Sequence, residues 1–420
     1  MAAPVDPTAA PALITNDAVV LGMLAVILGF VFWSSSRTSG FWKKFYGVVP
    51  ALLLCYFLPA LLNSFGIING QASALYPMAR DYLLPAALVL LCVAIDMKAI
   101  VRLGPKAVIM FFTGTFGVML GALVAFEVMA VIHPETVAGD TWRGMTTVAG
   151  SWIGGGANQA AMKEVYEVDA TLFGQFAAVD VIVASLWMAV LLFLAGRAEA
   201  IDRWNRADTS AIEDLKRRIE GYQAEHVRVP NLNDLIMIIA VGLGATGLAH
   251  LLTDLIIPWI NAQPAEWRLK DYSLDKAFFW ITLLATTFGL LLSFTPARKL
   301  EGVGASRVGS LMLYVLVATI GMQMDLAALL ERPWLFGLGV IWILVHGALM
   351  IGMARLIRAP VFFMAVASQA NIGGAASAPV VASAFHPSLA PVGVLLAVLG
   401  YAVGTYGAYI TGQILMRMAG

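Results

Sequence analysis

Apolar residues fall into long blocks along this chain, separated by short polar stretches, and the blocks set the architecture. Twelve segments can be drawn, at about 18–34, 45–65, 82–97, 107–132, 144–162 and 170–196, then 232–260, 277–295, 308–323, 334–354, 361–384 and 390–416. Most approach the ~20 residues that carry a helix across a bilayer, which predicts an all-α polytopic membrane protein. The fifth and eleventh break the pattern. "SWIGGGANQAAMKEV" (Ser151–Val165) and "SQANIGGAASAPVV" (Ser368–Val381) put glycines and amides where their neighbours are purely apolar. Glycine weakens a helix, and uncapped backbone is costly in lipid.

Six segments lie on each side of the one substantial polar stretch, which divides the chain into 1–196, a charged tether at 197–230, and 231–420. The tether carries seven Lys/Arg and seven Asp/Glu, with Glu213–Arg217 and Asp214–Arg218 spaced i,i+4 as on a solvated helix. It reads as a link between halves rather than as a docking or regulatory helix. Each glycine-rich motif occupies the fifth segment of its half. Ile153-Gly154-Gly155-Gly156-Ala157 lies against Ile372-Gly373-Gly374-Ala375-Ala376, four identities in five positions, which points to an internal repeat.

Such a segment either crosses as a broken helix or dips in and returns as a re-entrant hairpin. If all twelve cross, the better orientation puts 15 of the 26 Lys and Arg in the cytoplasm. If the fifth and eleventh are re-entrant and the N-terminus is outside, 18 of the 26 are cytoplasmic, the tether among them. The positive-inside rule favours the second arrangement. Each half then crosses five times, so the halves are inverted, as in secondary transporters. Glycines in the hairpins let the backbone turn sharply and approach a solute.

Composition narrows the chemistry. The chain is 60% hydrophobic, 12% charged and carries a net charge of zero, so no nucleic-acid footprint is visible. Cys55 and Cys92 lie within apolar runs and the five histidines are scattered, so neither a disulfide framework nor a metal or cofactor pattern is expected. The N-terminal "MAAPVDPTAAPALITND" lacks a basic region and does not resemble a cleaved signal peptide. The GGG run is no phosphate loop, and Ser151 has no nearby His or Lys to make it a nucleophile, so no enzyme is expected.

Asp180 sits deep in the sixth segment, where a carboxylate is expensive and commonly binds a cation or carries a proton. Its counterpart in the second half is near Leu399. Asn158, Gln159, Ser368, Gln369, Asn371 and Ser377 offer neutral oxygens suited to Na⁺, or else cap the broken helices; Ser151 adds a hydroxyl. Asp180, Ser368 and Gln369 are the candidate ion-coupling residues. Lys163 and Glu164 read as a solvated pair at an aqueous mouth, where Lys163 could also attract an anion. Glu127, His250 and His346 read as packing, and Asp96, near Lys98, and Asp325, near Arg332, as interfacial. Tyr401, Thr405 and Tyr406 are weaker candidates for lining a cavity.

The two motifs resemble those of the bacterial membrane proteins grouped as domain of unknown function number 819, over about residues 15–417. That family is placed in the cation:proton antiporter and anion transporter superfamily, with the bile acid:sodium, glutamate:sodium and 2-hydroxycarboxylate symporters. The resemblance implies paired re-entrant segments meeting at a substrate site made by Gly154, Gly155, Asn158 and Gln159 with Asn371, Gly373, Gly374 and Ser377; Ser151 and Gly156 of the first hairpin join them in the expected substrate-binding set. Ala157 and Ala376 stand where the symporters' last glycine would fall, so substrate identity does not transfer. The expectation is a homodimer in the bacterial inner membrane, coupling a small organic anion (a carboxylate, amino acid or short peptide) to Na⁺ or H⁺. Segments 1–2 and 7–8 would form its scaffold. A cation/proton antiporter using Asp180 is the alternative; a passive channel or an intramembrane enzyme fits less well.

Overall fold

A computed structural model describes residues 12–37, 39–46, 49, 51–207, 212, 229–267, 269–272, 274–324, 332–386 and 389–420. Among them the chain is helical, and the nearest approach to a sheet is a single bridge between Ile14 and Ile68. The first half contains α1 (Asp17–Ser35), α2 (Gly40–Tyr46), α3 (Ala51–Ser64), α4 (Leu75–Val93), α5 (Met97–Arg102), α6 (Pro105–Ile132), α7 (Thr141–Gly154), α8 (Gly156–Val165) and α9 (Ala170–Ala195). A short α10 (Ala198–Asn205) opens the tether. The second half contains α11 (Leu232–Asn261), α12 (Ala277–Ser293), α13 (Ala305–Gly321), α14 (Trp334–Leu356), α15 (Val361–Ile372), α16 (Gly374–Phe385) and α17 (Ala390–Met418). Seven of these helices are long and apolar enough to cross a membrane, or nine if two bent pairs each count as one span. This is a polytopic membrane protein.

Local sequence explains where helices begin. Asn16 caps α1 through the Ala18 amide at 2.9 Å, and Asp169 caps α9 through the Thr171 amide at 2.8 Å. Asn231 and Asp234 form a reciprocal capping box at the start of α11. In α4, residues 79–83 widen to a π turn. The Asp81 carbonyl in that turn is met by His250 Nε2 of α11 at 2.8 Å.

Packing repeats between the halves. α1 lies on α3 as α11 lies on α12, α3 on α13 as α12 on α4, and α1 on α13 as α11 on α4. α6 meets α17 as α14 meets α9, while α4 meets α13 and α6 meets α14 across the centre. Lipid tails are as apolar as leucine, so close backbone approach and hydrogen bonds must hold such contacts. The α6–α14 crossing shows both. A Cβ on Gly121 would fall 2.8 Å from the Trp342 carbonyl oxygen, and Trp342 Nε1 donates to the Val118 carbonyl at 2.7 Å. α1 and α11 are the least enclosed of the long helices, α4 and α17 the most.

The start of the tether is docked. Asp202 accepts from the Val361 amide at the head of α15 at 2.8 Å, and Asn205 donates to the Ala354 and Ala359 carbonyls at 3.2 and 3.1 Å. The Arg355 guanidinium lies 4.2 Å from the Trp204 ring centre. The Glu213–Arg217 and Asp214–Arg218 pairs, and Asp325, lie outside the described residues.

Candidate functional site

Both glycine motifs reverse the chain. α7 ends at Gly154, and Gly155 takes a φ of 82°, a left-handed conformation that disfavours a side chain, before α8 begins. Eight residues along one continuous helix span about 12 Å. Here a Cβ on Gly150 would fall 2.6 Å from the Asn158 carbonyl oxygen, so α7 and α8 run back along each other. In the second motif Gly374 has a φ of 60°, and Gln369 Nε2 donates to Ser377 Oγ, also eight residues on, at 2.7 Å. Two helical hairpins result. Their tips touch, since a Cβ on Gly374 would lie 3.9 Å from the Gly155 Cα. Tyr401 flanks Gly155 and Leu313 flanks Gly156.

One arrangement of groups anchors each hairpin to a helix of the opposite half. Asn158 Nδ2 donates to the Gly154 carbonyl of its own hairpin and to the Tyr401 carbonyl of α17, both at 3.0 Å, while Thr405 Oγ1 donates to Asn158 Oδ1 at 2.6 Å. Asn371 Nδ2 donates to the Ala367 carbonyl at 3.0 Å and the Phe111 carbonyl of α6 at 3.1 Å, while Thr115 donates to its Oδ1 at 2.9 Å. In both cases the carbonyl and the threonine are four residues apart, on one face of the crossing helix. A buried amide is thereby satisfied on both ends, which low dielectric demands. Asn158 and Asn371 are therefore directed into helix crossings, away from the space between the tips.

Asp180 is buried behind the first hairpin. Its Oδ1 accepts from Trp152 Nε1 at 2.6 Å and its Oδ2 from Gln159 Nε2 at 2.9 Å, and the Ser151 hydroxyl also bonds to it. Ser151 and Trp152 belong to α7 and Gln159 to α8, so one carboxylate ties the two arms together. No cation pairs with it among the described residues. Burial of a carboxylate among neutral donors is costly, and the three hydrogen bonds offset part of that cost.

In the second hairpin Ser368 joins a neutral chain. His346 Nδ1 faces the Gly114 carbonyl at 3.1 Å, which fixes the proton there, so Nε2 accepts from the Ser368 hydroxyl at 2.8 Å. Trp187 Nε1 donates to the same hydroxyl at 2.8 Å. Gln369 differs from every other hairpin residue in this site. It is buried, its Nε2 is used on Ser377, and its Oε1 has no partner among the described residues.

The structure thus gathers Gly155, Gly156, Gly373, Gly374, Gln369 and Ser377 at the meeting of the tips. It places Ser151 and Gln159 with Asp180, and Ser368 with His346. Gly154 is a packing position, where a Cβ would press on the Gly400 carbonyl. Trp152, Thr115 and Trp187 are partners that sequence reasoning missed. The available signal was that indole N–H groups inside spans need acceptors.

Two expectations change. Lys163 and Glu164 do not form a solvated pair. Lys163 is buried, 3.0 Å from Glu164, and donates to Tyr76 Oη at 2.5 Å, while Tyr76 also donates to Glu164. The end of α8 packs on α4, and that contact buries Lys163 and leaves Glu164 half-buried. Asp96, read as interfacial, pairs with Arg298 and caps α5 through the Ala99 amide at 3.0 Å. Glu127 is not a packing residue either, since it is exposed on α6.

Residues 22–418 match the family described as "Protein of unknown function (DUF819)". The chain is also similar to a protein of Bacillus subtilis (strain 168) described as "Uncharacterized membrane protein YjcL". They are 24% identical over 392 residues, covering 91% of this chain and 94% of that protein.

Proposed function

The chain belongs to the DUF819 family, and from its own geometry we propose that it is a secondary-active transporter working by alternating access. The observation that carries this reading is the pair of helical hairpins whose tips touch at Gly155 and Gly374. Their arms have 14, 10, 12 and 12 residues. At 1.5 Å per residue each is about 15–21 Å long, short of the ~30 Å hydrocarbon core. Two re-entrant hairpins reaching the midplane account for these lengths. With α3, α12 and α13 counted as crossings beside the seven long helices, five apolar helices remain in each half, an odd number that would make the halves inverted repeats. The recurrence of packing pairs between the halves supports the same reading.

The tips suit a pair of opposite charges. α7 and α15 end there, presenting carbonyl oxygens, while α8 and α16 begin there, presenting amide N–H groups. Helix N-termini attract anions and unwound C-termini attract cations. We therefore favour symport of a small organic anion with Na⁺ or H⁺, by a homodimer in the bacterial inner membrane with its N-terminus outside. Gln369 Oε1 is the free oxygen nearest this role, and Asp180 is the group whose charge a coupling ion balances. The lack of a cation beside Asp180 also favours a second reading, an antiporter in which Asp180 exchanges H⁺ for Na⁺.

The test is thermal unfolding of the purified protein against organic acids, amino acids and short peptides, in Na⁺ and in choline. A ligand at about 100 times its dissociation constant stabilises by roughly 2.7 kcal/mol. A solute that stabilises only with Na⁺, and that exchanges across proteoliposomes in counterflow, supports symport. Response to Na⁺ and acid alone moves the reading to the antiporter. Free passage without trans-stimulation would sink both.

A further inference from the structure

We propose that the corner between α1 and α2 is a binding site for an anionic phospholipid headgroup. No Asp or Glu occurs between Asp17 and Asp81, yet "RTSGFWKKFY" brings Arg37, Lys43 and Lys44 together at the end of α1. The structure gives these cations a built surface. Tyr46 Oη is 2.7 Å from Ser34 Oγ, which pins α2 against α1. Trp42 is at the centre of an aromatic cluster, 5.5 Å from Phe30, 6.4 Å from Trp33, 5.2 Å from Phe41 and 6.0 Å from Phe45. α2 makes an angle of 93° with α3, so it lies across the direction of the spans.

The Arg37 guanidinium lies 4.6 Å from the Trp33 ring centre, and Lys43 and Lys44 are exposed. Among the described residues no carboxylate pairs with any of the three. Aromatic rings at a membrane boundary fit any lipid, but three unpaired cations select one with a net negative headgroup. The patch is continuous with the exposed apolar face of α1 at Val26, Phe30 and Trp33, so acyl chains would run down that face while the phosphodiester meets the cations. A second copy is a poorer occupant, because a two-fold contact would set basic residues against basic residues. This inference does not depend on the transport reading; it needs only that α1 spans the membrane.

The experiment is native mass spectrometry of the full-length protein released from micelles holding equal phosphatidylglycerol and phosphatidylcholine. Wild type should retain phosphatidylglycerol in preference. Each surface cation near a membrane is worth roughly fivefold in affinity for anionic lipid, so the Arg37→Gln/Lys43→Gln/Lys44→Gln variant should lose about a hundredfold of that preference. Should the triple variant not fold, Lys43→Gln and Lys44→Gln alone, both solvent-exposed, should each lose about fivefold. Equal retention of the two lipids, or a preference untouched by these substitutions, overturns the proposal. So does displacement by excess glycerol 3-phosphate, which would mark a site for the free anion, or loss of a dimer in the variant, which would assign the patch to a second copy.

Discussion

In the first hairpin a charged group from outside, Asp180 of α9, ties the arms together through Ser151, Trp152 and Gln159; in the second the tie is internal and neutral, from Gln369 to Ser377. Each hairpin is also anchored by one asparagine to a helix of the opposite half, so anchoring does not distinguish them. The consequence is an asymmetry of control. A change of charge state at Asp180 acts directly on the donors that join the arms of the first hairpin. The second keeps its own shape and retains one free oxygen, Gln369 Oε1, beside the tip.

The sharpest way to break this contrast is to remove the outside tie. Asp180→Ala should lower stability by about 3–5 kcal/mol, because it strands donors in a buried site, and should be read as a large fall in Tm in detergent. Asp180→Asn keeps an acceptor and should cost less, while abolishing any dependence of Tm on Na⁺ and removing the part of its acid dependence that Asp180 supplies. A wild-type Tm for Asp180→Ala would return that residue to inert packing.

Next in size is a pair of glycine substitutions. Gly154→Ala presses on the Gly400 carbonyl and the Asn158 amide, an overpacking cost of about 1–3 kcal/mol. Gly374→Ala meets only the Gly155 Cα at 3.9 Å and carries just its positive φ, a cost of about 1 kcal/mol. Gly154→Ala should therefore unfold first, while Gly374→Val at the tip contact should abolish transport at near-normal expression. The reverse order would mean that the tips, not the α7–α17 crossing, hold the hairpins.

Gln369→Met should change stability by no more than about 1 kcal/mol, since it removes one hydrogen bond together with a buried oxygen that has no partner among the described residues. Stabilisation by ligand should vanish in the same protein. Retained ligand stabilisation would remove Gln369 from the site.

The smallest effect concerns pH. Burial holds the Asp202 carboxyl above its ordinary 3.8, against the pull of the Val361 amide. A raised carboxyl contributes stability that is complete below 3.8 and fades as pH rises through its folded value. Asp202→Asn keeps an acceptor for Val361 and removes that dependence. Relative to the variant, wild type should lose Tm as pH climbs out of the acid range, and the variant should be at least as stable at neutral pH. Parallel Tm curves from about pH 3 to 7 would show that the cap is indifferent to charge.

Much of this architecture was legible from periodicity, and the reasons are local. The apolar blocks marked the spans because lipid requires them, and the glycine doublets marked the reversals because positive φ selects glycine at Gly155 and Gly374. What stayed hidden was which polar groups would meet. Asn158 and Thr405 are 247 residues apart, and their bond depends on how α17 is rotated about its axis. Asp180 invited an ion-binding reading, yet its donors lie inside the quoted motif, where Gln159 suggested an oxygen ligand or a cap and Trp152 gave no polar signal. The Lys163–Glu164 pair looked solvated because sequence carries no record of Tyr76 packing over it. The π turn in α4, answered by His250, left no periodic trace at all.

The docking of α10 has a practical corollary for anyone who would cut this chain in two. Asp202 and Asn205 precede the middle of the tether yet hold the α14–α15 corner of the other half. Fragments divided within 208–228 would each keep their side of that joint and should reassemble when co-expressed. Fragments divided at Gly196 would carry α10 away from the half that precedes it, so that the second fragment would arrive with its corner already filled and no strand of chain leading back to α9.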